Sequence, residues 1–253
     1  MENVLEIHNL TVRFGGIVAL DNVSFSVPKG KVCGVIGPNG AGKTTCFNCL
    51  SGVYRPTAGD IRFRGEPITR LPRHTIARRG MGRTFQNLAV FSSMSVRGNV
   101  LVGVHTRSVG DFIGSMLYMP AVARSEIESR LHAERWIDRF GLRAVADEPV
   151  GRLPFAIQKR VELARALATN PTLLLLDEPA AGLNHEEVEH LADDIRAIRD
   201  GEGISILLVE HHMNLVMRIS DKVVVLDFGK KIADGLPSEV REHPGVIKAY
   251  LGT

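Results

Sequence analysis

The sequence predicts an α/β fold with a central parallel sheet, and three observations predict it. Leu173–Leu176 and Ile204–Val209 are continuous apolar runs, the pattern of strands covered on both faces. Between them Val188, Leu191, Ile195 and Ile198 follow helical spacing among Glu186, Glu187, Glu189, Asp193 and Asp194, so helix and strand alternate as parallel βα units require. Near the N-terminus the apolar run Val32–Ile36 leads into a glycine-rich loop and then into a helical pattern over Lys43–Leu50.

The first third reads as strands over Val4–His8, Leu10–Phe14, Val23–Val27, Val32–Ile36 and Ile61–Arg64, with turns at Gly15-Gly16, Pro28–Gly30 and Thr57–Asp60. From about Asn87 to Gly151 helical patterns take over, with Ala133, Trp136, Ile137 and Phe140 on one core-facing stripe. A helical subdomain is therefore expected over 88–168, set into a single domain of residues 1–253 whose core and β-region are 1–87 and 169–253. Gly110–Pro120, within the segment 103–125, is apolar and glycine-punctuated; it reads either as an exposed elbow that meets another protein or as a loop tucked on the core. Val223–Leu226 adds a strand, and Phe228–Gly235 a turn into a short edge strand.

Composition bounds the function. The chain has 253 residues, 44% of them hydrophobic and 23% charged, enough to bury a substantial core and not the profile of a disordered chain. Its 31 basic and 28 acidic residues leave a net charge of +3, too balanced to argue for nucleic acid. Arg70, Arg73, Arg78, Arg79 and Arg83 form a locally basic stretch that reads equally as a solvated face or as a contact with a partner or lipid headgroups. Cys33, Cys46 and Cys49 sit in apolar surroundings and read as small buried hydrophobes, without a second Cys/His cluster to complete a zinc site. No segment approaches the roughly 18 consecutive apolar residues of a membrane helix, and Met1-Glu-Asn-Val lacks the regions of a signal peptide.

The loop Gly37-Pro38-Asn39-Gly40-Ala41-Gly42-Lys43-Thr44 satisfies G-x-x-x-x-G-K-[ST] between a strand and a helix. Its backbone N–H groups and the positive helix end converge on one point, which suits a triphosphate. Lys43 would neutralise the β- and γ-phosphates, and the Thr44 hydroxyl would ligate Mg²⁺. Leu173–Asp177 ends a hydrophobic strand in two carboxylates: Asp177 suits a place beside the metal, and Glu178 suits a water opposite the γ-phosphate. His211 comes directly after the strand ending at Val209, at the sheet edge where ligands bind, and could contact a γ-phosphate. A lone Gln86 or a lone His211 would carry no such reading.

Taken together and in this order, these residues resemble the nucleotide-binding subunits of ABC transporters, from about Leu5 to Thr253. The resemblance makes the core a P-loop NTPase core with an N-terminal antiparallel β-region and a helical subdomain. Gly37–Thr44 corresponds to Walker A, Gln86 to the Q-loop glutamine, Leu173–Asp177 to Walker B, Glu178 to the catalytic glutamate, Ala181–Asn184 to the D-loop and His211 to the switch histidine. It implies ATP and Mg²⁺, with Thr44, Gln86 and Asp177 around the metal, Thr45 among the nucleotide-binding residues, and Phe14 stacked on adenine. Arg13–Gly16, Arg83–Gln86, Asp177–Asn184, Val209–His211 and the ending Val246–Gly252 are similar to the longer of the two ATPase subunits of branched-chain amino acid importers. This likeness implies membrane permease subunits, a second ATPase subunit and a solute-binding protein as partners, no nucleic acid, and a peripheral place on the cytoplasmic face of the membrane. The alternatives are a regulatory nucleotide-binding subunit with little turnover and a soluble ABC ATPase acting on nucleic acid.

One motif departs. The family's signature, Leu-Ser-Gly-Gly-Gln or Leu-Ala-Tyr-Gly-Gln, is here Leu153-Pro154-Phe155-Ala156-Ile157-Gln158. Pro154 has neither hydroxyl nor N–H, Ala156 puts a methyl where phosphate should approach, and Ile157 replaces a polar group. Because a homodimer would carry this defect in both composite sites, a heterodimer is favoured, with a homodimer as the alternative.

Overall fold

The computed structural model describes residues 2–84, 88–105 and 120–251. The chain divides into two compact units, Met1–Arg83 with Thr172–Thr253, and Thr84–Pro171. In chain order the first unit contains β1 (Asn3–Phe14), β2 (Ile17–Pro28), β3 (Val32–Ile36), α1 (Lys43–Leu50), β4 (Ala58–Phe63), β5 (Glu66–Pro67), α2 (Arg73–Arg78) and β6 (Met81–Arg83). The second unit contains α3 (Val96–His105), α4 (Pro120–Arg139) and α5 (Phe155–Ala168). The first then resumes with β7 (Leu173–Asp177), α6 (His185–Glu202), β8 (Ser205–Val209), α7 (Met213–Ile219), β9 (Lys222–Asp227), β10 (Lys230–Gly235), α8 (Pro237–Glu242) and α9 (Pro244–Leu251).

The parallel core is a six-stranded sheet in the order β10-β9-β3-β8-β7-β6, with β10 antiparallel at its edge. Every residue of β3, β7 and β8 is buried, which is why their sequences are apolar without alternation. Cys33 pairs with Leu207 and Asp177 with Val209, so the ends of β3, β7 and β8 that lead into the motif residues lie along one edge. The antiparallel β-region is a separate four-stranded sheet in the order β2-β1-β4-β5.

Two expected breaks are absent. Val4–His8 and Leu10–Phe14 form one strand, because Asn9 takes a left-handed φ of 50° and absorbs a register shift against β2. Its N–H donates to Ser24 Oγ at 2.7 Å, and its Oδ1 accepts from that hydroxyl at 3.0 Å. Ala58–Asp60 belongs to a strand rather than a turn, since Thr57 N–H donates to Thr11 O at 2.8 Å and Ala58 pairs with Thr11. On α6 the buried face is Ala192, Ile195 and Ile198; Val188 and Leu191 are half-buried, because the helix is entered from the exposed residues 184–186.

The three cysteines are free and buried, and burial pushes the Cys33 and Cys49 thiols up to about 12 and that of Cys46 higher still. They pack as hydrophobes.

In the second unit Ala133, Trp136, Ile137 and Phe140 are buried, with the Trp136 and Phe140 rings stacked at 6.3 Å. Asn99 is fully buried there, and its amide closes both sides of one backbone residue. Oδ1 accepts from Phe91 N–H at 2.8 Å, while Nδ2 donates to the carbonyls of Phe91 and Ser95, each at 3.0 Å. Asn99→Ala strands these polar groups and is expected to cost about 2–3 kcal/mol, measured by chemical denaturation of the full chain.

Candidate active site

The site is built on the loop that joins β3 to α1. α1 starts without a side-chain cap and without an acid in its first turn, and its N-cap Gly42 has a φ of 100°. The loop before it is pressed against backbone. A Cβ on Gly37 would lie 2.1 Å from the Leu226 carbonyl, and one on Gly42 would lie 2.7 Å from the carbonyl of Ala19. Glycine is therefore required twice, for conformation and for space. The turn between β9 and β10 completes the cradle: Gly229 N–H donates to Ala41 O at 3.1 Å, and Gly229 O accepts from Asp21 N–H of β2 at 2.8 Å. Asn39, Gly40 and Thr44 are exposed, while Pro38, Gly42 and Thr45 are half-buried.

Lys43 is buried, with Nζ donating to the carbonyls of Gly37 at 2.7 Å and Pro38 at 3.0 Å. Burial lowers its pKa, and the charge of Glu178 acts against that shift.

At the end of β7, Asp177 is 2% exposed and its Oδ2 accepts from Arg83 Nη2 at 2.8 Å. The same guanidinium donates to Asn48 Oδ1 at 3.0 Å and contacts Ser51 Oγ, both on the far end of α1. Arg83 therefore does not belong with the exposed Arg70, Arg73 and Arg78; it is drawn inward because a buried carboxylate needs a cation. Arg79 is half-buried and pairs with Glu66 at 2.8 Å.

Glu178 takes a φ of 47°, rare for a residue with a Cβ, and its N–H donates to Val209 O at 2.9 Å. That sharp turn brings its carboxylate to the end of β8, where His211 Nδ1 stands 3.9 Å from Glu178 Oε2. Glu210, wholly buried, holds the two turns together. Its Oε1 accepts from Ala180 N–H at 2.7 Å, and its Oε2 accepts from the N–H groups of His211 and His212 at 3.1 and 3.3 Å.

Sequence reasoning passed over Glu210 and Arg83. A carboxylate directly after a wholly apolar strand was the available signal for the first; for the second, a basic residue at the end of a short buried strand. Lys43, Asp177, Glu178 and His211 lie along one edge of the parallel sheet. Phe14 is 45% exposed and meets Tyr54 edge-on at 5.2 Å. Asn184, in the segment that corresponds to the D-loop, accepts through its Oδ1 from Glu187 N–H at 3.0 Å in the capping box that starts α6. Gln86 and residues 110–119 lie outside the described residues.

The signature segment belongs to the second unit. Pro154 is the N-cap of α5 and provides no side-chain cap. Gln158 turns back, its Nε2 donating to Leu153 O at 2.8 Å. Phe155 is 43% exposed, with Lys159 Nζ 5.7 Å from its ring centroid; Leu153, Ala156 and Ile157 are half-buried.

Comparison with known proteins gives the class first. The family model described as ABC transporter matches residues 20–181, and the chain belongs to that family, as one of its ATP-hydrolysing subunits that energise solute transport. A solved ATP-binding cassette of an ABC transporter, MJ1267, superposes with a TM-score of 0.86 at 30% identity over 99% of both chains, and its ADP conformation gives 0.83 at 29% identity over the whole of both chains. The more particular likeness is to curated transport proteins. The high-affinity branched-chain amino acid transport ATP-binding protein BraF of Pseudomonas aeruginosa is 46% identical over 249 residues, 98% of each chain. LivG of Escherichia coli K12, which carries the same description, is 42% identical over 98% of each. A second family model, Branched-chain amino acid ATP-binding cassette transporter, matches residues 230–253.

Because Asp177 is buried on a paired guanidinium, Arg83→Ala is expected to cost about 3–5 kcal/mol of folding stability. Asp177→Asn in the Arg83→Ala background is expected to recover part of that loss. Denaturation of the single and double variants checks both statements.

Proposed function

We propose that this chain binds ATP on the 37–45 loop and hydrolyses it to drive import of branched-chain amino acids or similar small solutes. The observation that carries the reading is the convergence of Glu178 and His211, 3.9 Å apart, at the same sheet edge as Lys43 and Asp177. The cargo class rests on the BraF and LivG likeness and on the match over residues 230–253. Among the described residues no helix is long and apolar enough to cross a membrane, which fits a peripheral subunit that meets permease subunits on the cytoplasmic face. A solute-binding protein completes such a system.

The residues fit the proposed ligands. An uncapped helix start and two glycines with no room for a Cβ form a phosphate cradle. The Thr44 hydroxyl and the Asp177 carboxylate are hard oxygen donors of the kind Mg²⁺ takes, and Gln86 enters that set only through the family resemblance. Bound there, Mg²⁺ supplies charge neutralisation for the phosphates. Lys43 exchanges the Gly37 and Pro38 carbonyls for β- and γ-phosphate oxygens. Glu178 accepts a proton from, or orients, the attacking water, and His211 contacts the γ-phosphate. Phe14, half in solvent, offers its ring face to the base.

Glu178→Gln is expected to keep nucleotide affinity and lose turnover, while Lys43→Ala weakens binding itself by about 3 kcal/mol. Equilibrium binding and steady-state hydrolysis of the assembled complex separate the two. Full turnover in Glu178→Gln would remove that residue from the mechanism.

The signature segment supports a heterodimer. Pro154 offers no N–H or hydroxyl, and Gln158 is turned onto Leu153, so this chain gives an opposite nucleotide little beyond a helix end. The expected result is asymmetry: the site containing Lys43 and Glu178, completed by a different ATPase subunit, turns over, while the partner's nucleotide is cleaved slowly. Hydrolysis by complexes in which one or the other Walker B glutamate is changed to Gln measures it, and equal residual rates would sink it.

A further inference from the structure

Phe14 stands at the tip of the first hairpin, closing β1 and pairing with Ile17 across the Gly15-Gly16 turn. It is 45% exposed and Ile17 is 71% exposed, so the hairpin itself covers little of either side chain. A phenyl ring in that place has more than one staggered rotamer open to it, and a base stacked on it selects one. A second ring comes from a different part of the chain. Tyr54, 38% exposed, meets Phe14 with ring centroids 5.2 Å apart and planes at 74°, the edge-to-face arrangement that aromatic pairs favour. Both rings stay partly in solvent, so the contact orients them more than it buries them.

The backbone around Tyr54 joins the two places a nucleotide would touch. At one end the Val53 and Tyr54 N–H groups both donate to Asn48 O, at 2.8 and 3.0 Å, which fixes the turn to α1, the helix that begins at the phosphate loop. Asn48 is itself held by Arg83, whose Nη2 donates to its Oδ1 at 3.0 Å. At the other end Thr57 is bonded twice to β1. Its N–H donates to Thr11 O at 2.8 Å, and its Oγ1 accepts from the N–H of Arg13, next to Phe14, at 3.0 Å. The segment 53–57 is therefore a bridge from the phosphate-binding helix to the strand that carries Phe14, and Tyr54 is the residue on it whose ring meets the Phe14 ring.

We propose that Tyr54 is a positioning residue for the nucleobase: its ring holds the Phe14 ring in one orientation and, through the 53–57 bridge, at a set distance from the phosphate loop. A ring ordered in advance loses less freedom when a base stacks on it. The proposal rests on reading Phe14 as the ring that stacks on the base.

Tyr54→Leu keeps an apolar side chain and removes the ring. Binding of ADP to the full-length chain is expected to weaken about fivefold, the worth of one aromatic pair. KM for ATP in the assembled complex should rise in the same ratio, with kcat nearly unchanged. Affinity for inorganic tripolyphosphate, which has no base, should not change, whereas a role in folding alone would weaken both ligands. Tyr54→Phe restores the ring and is expected to recover native affinity; a loss as large as that of Tyr54→Leu would assign the hydroxyl instead and overturn the proposal. Phe14→Ala, run in parallel, separates the two readings. It should weaken ADP, and adding Tyr54→Leu should weaken it little further. If Phe14→Ala weakens ADP and Tyr54→Leu does not, the proposal falls and the stacking assignment stands; if Phe14→Ala binds ADP normally, both fall. Equal losses for ADP and tripolyphosphate, or independent multiplying effects of Phe14→Ala and Tyr54→Leu, would also overturn it.

Discussion

The contact on which the first unit depends is the close approach of the phosphate loop to the turn between β9 and β10. Leu226 O occupies the space beside Gly37, and Gly229 bonds Ala41 on one side and Asp21 of β2 on the other. One residue of one turn thus joins the loop, the parallel sheet and the antiparallel β-region. The amides of α1 are left uncapped by side chains at that place. Such an arrangement costs the helix about 1 kcal/mol of capping stability, and the packed turn offsets it by holding the backbone that a cap would otherwise fix.

Two buried ionic groups set the geometry of the carboxylate edge. Glu210 collects three backbone N–H groups from the turns after β7 and β8, which fixes the Glu178 and His211 backbones relative to each other without using either side chain. Arg83 does the corresponding work for Asp177, tying the end of β7 to the far end of α1. The left-handed turn at Glu178 costs on the order of 1 kcal/mol and persists only because its N–H is bound to Val209 and its neighbour Ala180 to Glu210. Strain there aims a carboxylate at the site rather than along the strand.

The legible parts of the sequence were those set by local chemistry. Lys43–Leu50 is a helix over the residues expected of it, since a glycine loop starts it and Ser51-Gly52 ends it. The apolar runs at 32–36 and 173–176, and that at 204–209 from Ser205 on, lie in strands buried on both faces, as short runs of this kind suit. Partners distant in the chain were not legible. Arg83 meets a carboxylate 94 residues away, and Glu210 meets an amide 30 residues away. Asn9 shows the reverse failure: a turn-forming residue that a neighbouring strand absorbs through Ser24, because a bulge accommodates a left-handed residue without ending the ladder. Asn184 also caps α6, a role that depends on Glu187 three residues on.

Lys43 shows how the two halves of the site depend on each other. Its ammonium is taken out of water, which lowers its pKa, and two loop carbonyls provide dipoles without a full countercharge. Glu178 is the carboxylate whose field offsets that burial. A charge held in this way is attracted to a phosphate more strongly than an exposed one, because little intervening water screens it. The carboxylate that faces the proposed water also acts against the lowering of the Lys43 pKa by burial, so one side chain is coupled both to the water and to the phosphate-binding cation. Glu178, one residue past β7, and the lysine at the start of α1 therefore form one electrostatic unit, assembled by the parallel pairing of β3 with β8 and of β8 with β7.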